Sequence, residues 1–180
     1  MIKNTTEQFG SIAKTIHWLS AIVICALFAS GYWMIDLDYY SDWYQTAPHW
    51  HESIGVLLLF FTVFRIVWRI INPVPKAIAT HSVATRRFSW MAHMALYTLL
   101  LLIMFSGYLI PTADGRVIAV FTWFELPALG ELFAQQEDIS GTLHKFGAYA
   151  MITLSLLHAL AALKHHYFDK DATLVRMLNS

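Results

Sequence analysis

Cysteine is almost absent from this chain. The single one, Cys25, sits inside an apolar run. One thiol excludes an internal disulfide framework, a cysteine-rich zinc site and an iron–sulfur cluster. It also excludes the CxxCH attachment of a c-type haem. Charge is scarce as well. Only 13% of residues are Asp, Glu, Lys or Arg, and 12 basic side chains balance 12 acidic ones. Without a basic surplus to neutralise phosphates, nucleic acid is not an expected partner. No repeat at fixed period and no low-complexity tract divides the chain, so a single domain over 1–180 is expected.

What the chain has is apolar surface and rings. It is 57% hydrophobic and holds nine His, seven Trp and twelve Phe. A membrane-spanning helix needs about 20 predominantly apolar residues. Four runs qualify, at about 16–35, 51–71, 88–110 and 143–163. The first run is not read as a removed signal peptide. No small-residue cleavage site follows it, and it leads into Trp33, Asp36 and Tyr39. Most of the aromatic residues are expected as membrane anchors or core.

Basic residues set the orientation. Lys3 and Lys14 precede the first span, Lys76, Arg86 and Arg87 lie between the second and third, and Lys164, Lys170 and Arg176 follow the fourth. The stretch 36–50 has no Lys or Arg, and the loop 112–142 has only Arg116 among several acids. Both termini are therefore expected in the cytoplasm and the acidic loops outside. Short connections favour antiparallel neighbours. The expected fold is all-α, an integral membrane four-helix bundle running up-down-up-down. Within the long outer loop, "VFTWFELPALGELFA" is expected to lie as an amphipathic piece on the membrane surface.

The histidines follow a spacing. An α-helix rises about 1.5 Å and turns about 100° per residue, so His144 and His158 share one face about 21 Å apart. His165 continues that face to the cytoplasmic rim, and His166 points about 100° away. By depth, His51 on the second span is level with His144, and His17 on the first span is level with His158. His93 is on the inner part of the third span. Fourteen residues after His17, His93 and His51 come Gly31, Gly107 and Arg65, with Arg69 a turn beyond Arg65. A flat macrocycle between helices needs ligands on one wall and little bulk on another, which glycine supplies. Two stacked haem-sized groups account for the whole pattern. A propionate would satisfy Arg65. His49 lies two residues before His51; His51 is preferred as ligand because it lies deeper, with Gly55 one turn later.

Two imidazoles on one iron porphyrin make a six-coordinate b-type haem, which carries single electrons. The rival reading is a histidine-based metal or proton transporter. Such proteins place carboxylates at mid-depth, and here Asp36 and Glu52 lie only at span ends. A purely structural subunit would not need imidazoles at matched depths.

Several stretches together resemble the bacterial cytochrome b561 family. They are "TIHWLSA", "HESIGVLLLFFTVFRIVWRI", "MAHMALYTLLLLIMFSGYLI", "PTADGRVIAVF" and "LHKFGAYAMITLSLLHALAALKHHYFDKDATLVRML". They cover nearly the whole chain in order. The resemblance implies a cytochrome of the bacterial inner membrane with two non-covalent b haems. His17 and His158 would be the axial ligands of the inner haem, and His51 and His144 those of the outer one. One member of the family oxidises superoxide outside and reduces ubiquinone, and the position matching His165 there lies by the quinone. The implied partners are ubiquinone and either a periplasmic redox partner or superoxide, an anion that Arg116 and Lys145 would attract. The acidic outer loop better suits a neutral or cationic donor. His93 is expected to bond a propionate, line the quinone pocket or replace an inner ligand.

Overall fold

The computed structural model describes residues 1–178, and four long helices make up most of it. They are α1 (Ser11–Met34), α2 (Thr46–Ile71), α3 (Val83–Thr112) and α4 (Gln136–Tyr167). A two-stranded hairpin, β1 (Ile118–Val120) and β2 (Phe124–Leu126), lies between α3 and α4, and a short α5 (Val175–Leu178) ends the described chain. At about 1.5 Å per residue, even the 24-residue α1 exceeds the roughly 30 Å hydrocarbon core. Within the apolar windows of these helices only 11–17% of residues are buried. The remaining apolar surface, such as Ile22, Phe60, Phe64 and Leu157, faces outward. All four helices are thus built to present apolar side chains to lipid.

Helix limits follow local chemistry. Ser82 caps α3 by accepting a hydrogen bond from the Thr85 N–H. The helix therefore starts before Arg86 and Arg87, earlier than hydropathy alone places it. Asn72 ends α2 in an extended conformation because Pro73 follows it. Pro48 is tolerated in the first turn of α2, where N–H groups have no intrahelical acceptor. Helix α4 begins at Gln136 rather than near 143. Glu137 and Asp138 stand in its first turn and Lys164, His165 and His166 in its last, each sign opposing the helix dipole. The buried Gln136 side chain accepts from the Leu132 N–H and donates to the Leu109 carbonyl, tying α4 to the end of α3.

The loop between α3 and α4 holds a short hairpin in place of a continuous amphipathic segment. Its first part pairs as an antiparallel hairpin, with Ile118 opposite Leu126 and Val120 opposite Phe124. The β-branched Ile118 and Val120 are buried against Val56 of α2, which rewards a strand with alternate residues pointing inward. Ser53 of α2 clamps the hairpin: its hydroxyl donates to the Ala119 carbonyl and accepts from the Phe121 N–H.

The helices pack closely as α3 with α4 and as α1 with α2, while α1 and α4 touch only sparingly. Gly147 lets α4 approach α3, since a Cβ there would meet Ile103 at 3.0 Å. A middle core forms around Leu58, Leu100 and Met151. The start of α1, the end of α2, the start of α3 and the end of α4 meet at one end of the bundle, hereafter the terminal end. The opposite, hairpin end carries β1 and β2. A cap closes the terminal end. Asn4 donates to the Pro73 carbonyl, the Lys76 N–H to Thr6, Arg176 to the Lys76 carbonyl, and Trp18 Nε1 to the Met177 carbonyl.

Candidate functional site

At the hairpin end, His51 of α2 faces His144 of α4, with ring centres 6.1 Å apart. Each ring is held through Nδ1. The His144 Nδ1–H donates to the Ile103 carbonyl at 2.8 Å. Ser30 Oγ gives its own proton to the Leu27 carbonyl, so at 3.0 Å from His51 it accepts from the Nδ1–H. Both Nε2 lone pairs are thereby left free, the arrangement a metal-ligating imidazole requires. Gly31 and Gly107 stand behind these rings. A Cβ at Gly107 would lie 2.9 Å from His144 Cε1, and one at Gly31 would lie 3.3 Å from His51 Cε1. What the two missing side chains clear first is the imidazole itself.

A cavity of about 370 Å³ opens between the four helices at this level, lined by Gly31, His51, Gly55, Gly107, His144 and Lys145 among mainly apolar neighbours. A second, more polar cavity of about 560 Å³ adjoins it and shares Met34, Pro48 and Glu52. His49 and Arg116 line this outer one. The His49 ring meets Phe121 of the hairpin turn rather than His144. Arg116 is exposed and paired with Asp114 at 2.8 Å. That hydrogen bond holds the Asp114 carboxyl below its ordinary range.

At the terminal end, His17 of α1 and His158 of α4 have ring centres 6.3 Å apart. His93 of α3 comes within 5.2 Å of His158, with its Nδ1–H on the Ser89 carbonyl. Arg65 donates from Nε to the Tyr97 hydroxyl and from an NH2 group to His17 Nδ1. Its guanidinium and that of Arg69 also lie over the Tyr97 ring, at 5.3 and 5.9 Å. Sequence reasoning missed Tyr97 and Ser30. Tyr97 sits one turn after His93 on the same helix face; no comparable spacing marked Ser30.

Beyond the bundle core, His165 is not a free rim residue. Its Nδ1 lies 2.6 Å from Asp169 and 3.5 Å from Asp171, and its ring lies 4.8 Å from that of His81. His81 bonds Asp171 at 2.7 Å. Burial alone would raise the Asp171 carboxyl, but hydrogen bonds from Thr173 and His81 outweigh it and hold the group at about 2. His166 turns away and packs edge-on against Tyr167.

Comparison with known proteins decides what kind of chain this is. The profile of prokaryotic cytochrome b561 matches residues 8–180. The chain belongs to this family. It is 48% identical to "Cytochrome b561 homolog 2" of Escherichia coli (strain K12), over 97% of this chain and 93% of that protein. It is 28% identical to "Probable superoxide oxidase CybB" of Yersinia pestis, over 96% of each. The cytochrome b561 chain described here is thus a multi-pass bacterial membrane protein of electron transfer, in a family that typically binds haem b.

The residues present fit such a group. A metal bound between two imidazoles at about 2 Å on each side sets the ring centres roughly 6 Å apart, as both pairs are. The His93–His158 distance is shorter than that arrangement allows.

Proposed function

We propose that this cytochrome b561 binds two b haems, one at each end of the bundle, and carries electrons across the bacterial inner membrane between a periplasmic donor and ubiquinone. The observation that carries the proposal is the pairing of imidazoles at two levels, with ring centres 6.1 and 6.3 Å apart. On this reading His51 and His144 hold the outer haem, and His17 and His158 the inner one. Haem b, held by these imidazole pairs, would supply one-electron exchange. The protein does the rest. Ser30 and the Ile103 carbonyl fix ring orientation. The Gly31 and Gly107 positions leave the rings room, and the apolar cavity keeps water out. Arg65 and Arg69, with Tyr97 between them, are placed to hold propionate at the terminal end. Arg65 now donates to His17 Nδ1; for His17 to ligate through Nε2, Arg65 would have to turn to the propionate and the ring's single proton would have to move from Nε2 to Nδ1.

The basic residues Lys3, Lys14, Lys76, Arg86 and Arg87 support a cytoplasmic terminal end. Quinone is accordingly assigned to that end, with His93 and His165 as the nearby imidazoles. The donor is assigned to the polar cavity beside the outer haem. Glu52 and Arg116 both line it, which suits a neutral or mixed-charge donor.

Superoxide is a second reading. Lys145 and Arg116 line the two adjoining cavities, and a relative carries the name of a probable superoxide oxidase. Against it, Asp114 already pairs with Arg116. A superoxide pulse in stopped flow decides: reduction of the haem bands supports this substrate, and unchanged oxidised bands remove it.

Pyridine-haem assay of purified protein should return two haems per chain. His51→Ala or His144→Ala should each lose one and keep the other, and His17→Ala or His158→Ala should lose the second. Retention of both haems in any of these variants would withdraw that histidine as a ligand. His93→Ala should keep both.

A further inference from the structure

Three donors at the terminal end are used by neither haem. They are Nε2 of His81 in the α2–α3 connection, Nδ1 of His165 in the last turn of α4, and Oδ2 of Asp171 in the segment beyond it. All lie within 4.8 Å of one another. We propose that they form a site for a divalent transition-metal ion of the zinc class.

The donor chemistry selects the ion. Magnesium and calcium take oxygen ligands, whereas two imidazoles and one carboxylate suit zinc and its neighbours. The spacing fits as well. His81 Nε2 lies 2.7 Å and His165 Nδ1 3.5 Å from the Asp171 oxygen. Bonds of about 2 Å converging on one tetrahedral ion place neighbouring donors roughly 3.3 Å apart, so these two spacings need change by only tenths of an ångström, while the two imidazole nitrogens, within 4.8 Å of each other, would close in by side-chain rotation. Asp171 is well buried, with its side chain 7% exposed, and His81 and His165 are 16% and 19% exposed. Backbone and side chain of Thr173 help hold its carboxylate ionised. Asp169 Oδ2 lies 2.6 Å from both Lys164 Nζ and His165 Nδ1; as the ion takes that nitrogen, Asp169 would keep Lys164 as its partner and water would fill the fourth position.

The site is not a third haem site. The His81 and His165 rings lie 4.8 Å apart and only 34° from parallel, too close for a metal between facing imidazoles. A bound ion would join three separate segments. It would also engage His165, so zinc would slow quinone exchange; that consequence alone rests on the quinone reading.

The test uses holo-protein without a polyhistidine tag, treated with chelator and titrated with Zn²⁺ by calorimetry and elemental analysis. One zinc per chain beyond the haem iron is expected. The affinity should fall about tenfold or more in His81→Ala and Asp171→Asn, each checked for an intact haem spectrum, and stay unchanged in His166→Ala. Zinc should raise the thermal midpoint of the wild type and not of the two ligand variants. In wild-type protein, which needs no substitution, zinc should protect His81 and His165 from diethylpyrocarbonate. No uptake at millimolar zinc, equal affinity in a folded His81→Ala variant, or modification of His81 unaffected by saturating zinc would each overturn the site. These readouts do not involve electron transfer, so they stand apart from the quinone assignment.

Discussion

A methyl group at Gly107 would press on two atoms of the His144 ring, Cε1 at 2.9 Å and Nδ1 at 3.0 Å. Nδ1 is the atom that donates to the Ile103 carbonyl. Gly107→Ala must therefore turn the ring or break that bond, and overpacking of this kind costs about 1–3 kcal/mol. On the proposed two-haem reading, about tenfold weaker retention of a haem at the hairpin end is expected, read as haem per protein after dilution. Gly31→Ala should be milder, because its one close contact is at 3.3 Å. If the two variants behave alike, ring displacement is not the cause. Spacing in the sequence marked both glycines, because a 14-residue interval is nearly four turns. It did not reveal that an imidazole ring lies within 3.3 Å of a Cβ built at either position. That depends on which rotamer the ring takes, and the rotamer depends on Ser30 and a main-chain carbonyl that no side-chain pattern displays.

Among the elements, the helices were legible because apolar runs of membrane length have few alternatives. Their ends were less so. Charged turns such as Arg86 and Arg87 belong to α3, and hydropathy leaves them out. The hairpin was not foreseen. Its strands are three residues each, too short for alternation to stand out, and the aromatic residues around them imitate a surface helix. What makes it stable is Ser53, fully buried and bonded to both the Ala119 carbonyl and the Phe121 N–H. Ser53→Ala leaves both backbone groups without their partner, at about 1–3 kcal/mol for a buried unsatisfied group. The thermal midpoint should fall, and amide exchange at Phe121 should accelerate while mid-helix amides of α2 stay protected. Equal exchange at Phe121 in both proteins would mean that the clamp does not hold the hairpin.

At the scale of the molecule, depth matching of histidines across helices was readable, since rise per residue converts sequence position into height. Lateral arrangement was not. That α3 lies against α4 while α1 and α4 barely touch depends on glycine clearances and on Gln136, which have no periodic signature. Nor did the sequence indicate that His165 is engaged with His81 and Asp171, since those partners come from a loop and a tail. Orientation remains an electrostatic inference and has a direct check. Alkaline phosphatase fused after Asp42 or Gly130 should be active, and fused after Ile78 it should be inactive. The reverse pattern would invert the assignment of donor and quinone ends.

The cap at the terminal end also sets an order of events. Trp18 donates to Met177 across 159 residues, and Lys76 receives Arg176 across 100. Translation runs from residue 1 upward, so His17, His51, His144 and His158 have all emerged before either bond can form. Both histidine pairs are thus synthesised while the floor of the bundle is still open. A chain stopped near residue 168 would carry every histidine of both pairs yet lack the stitch that closes beneath them.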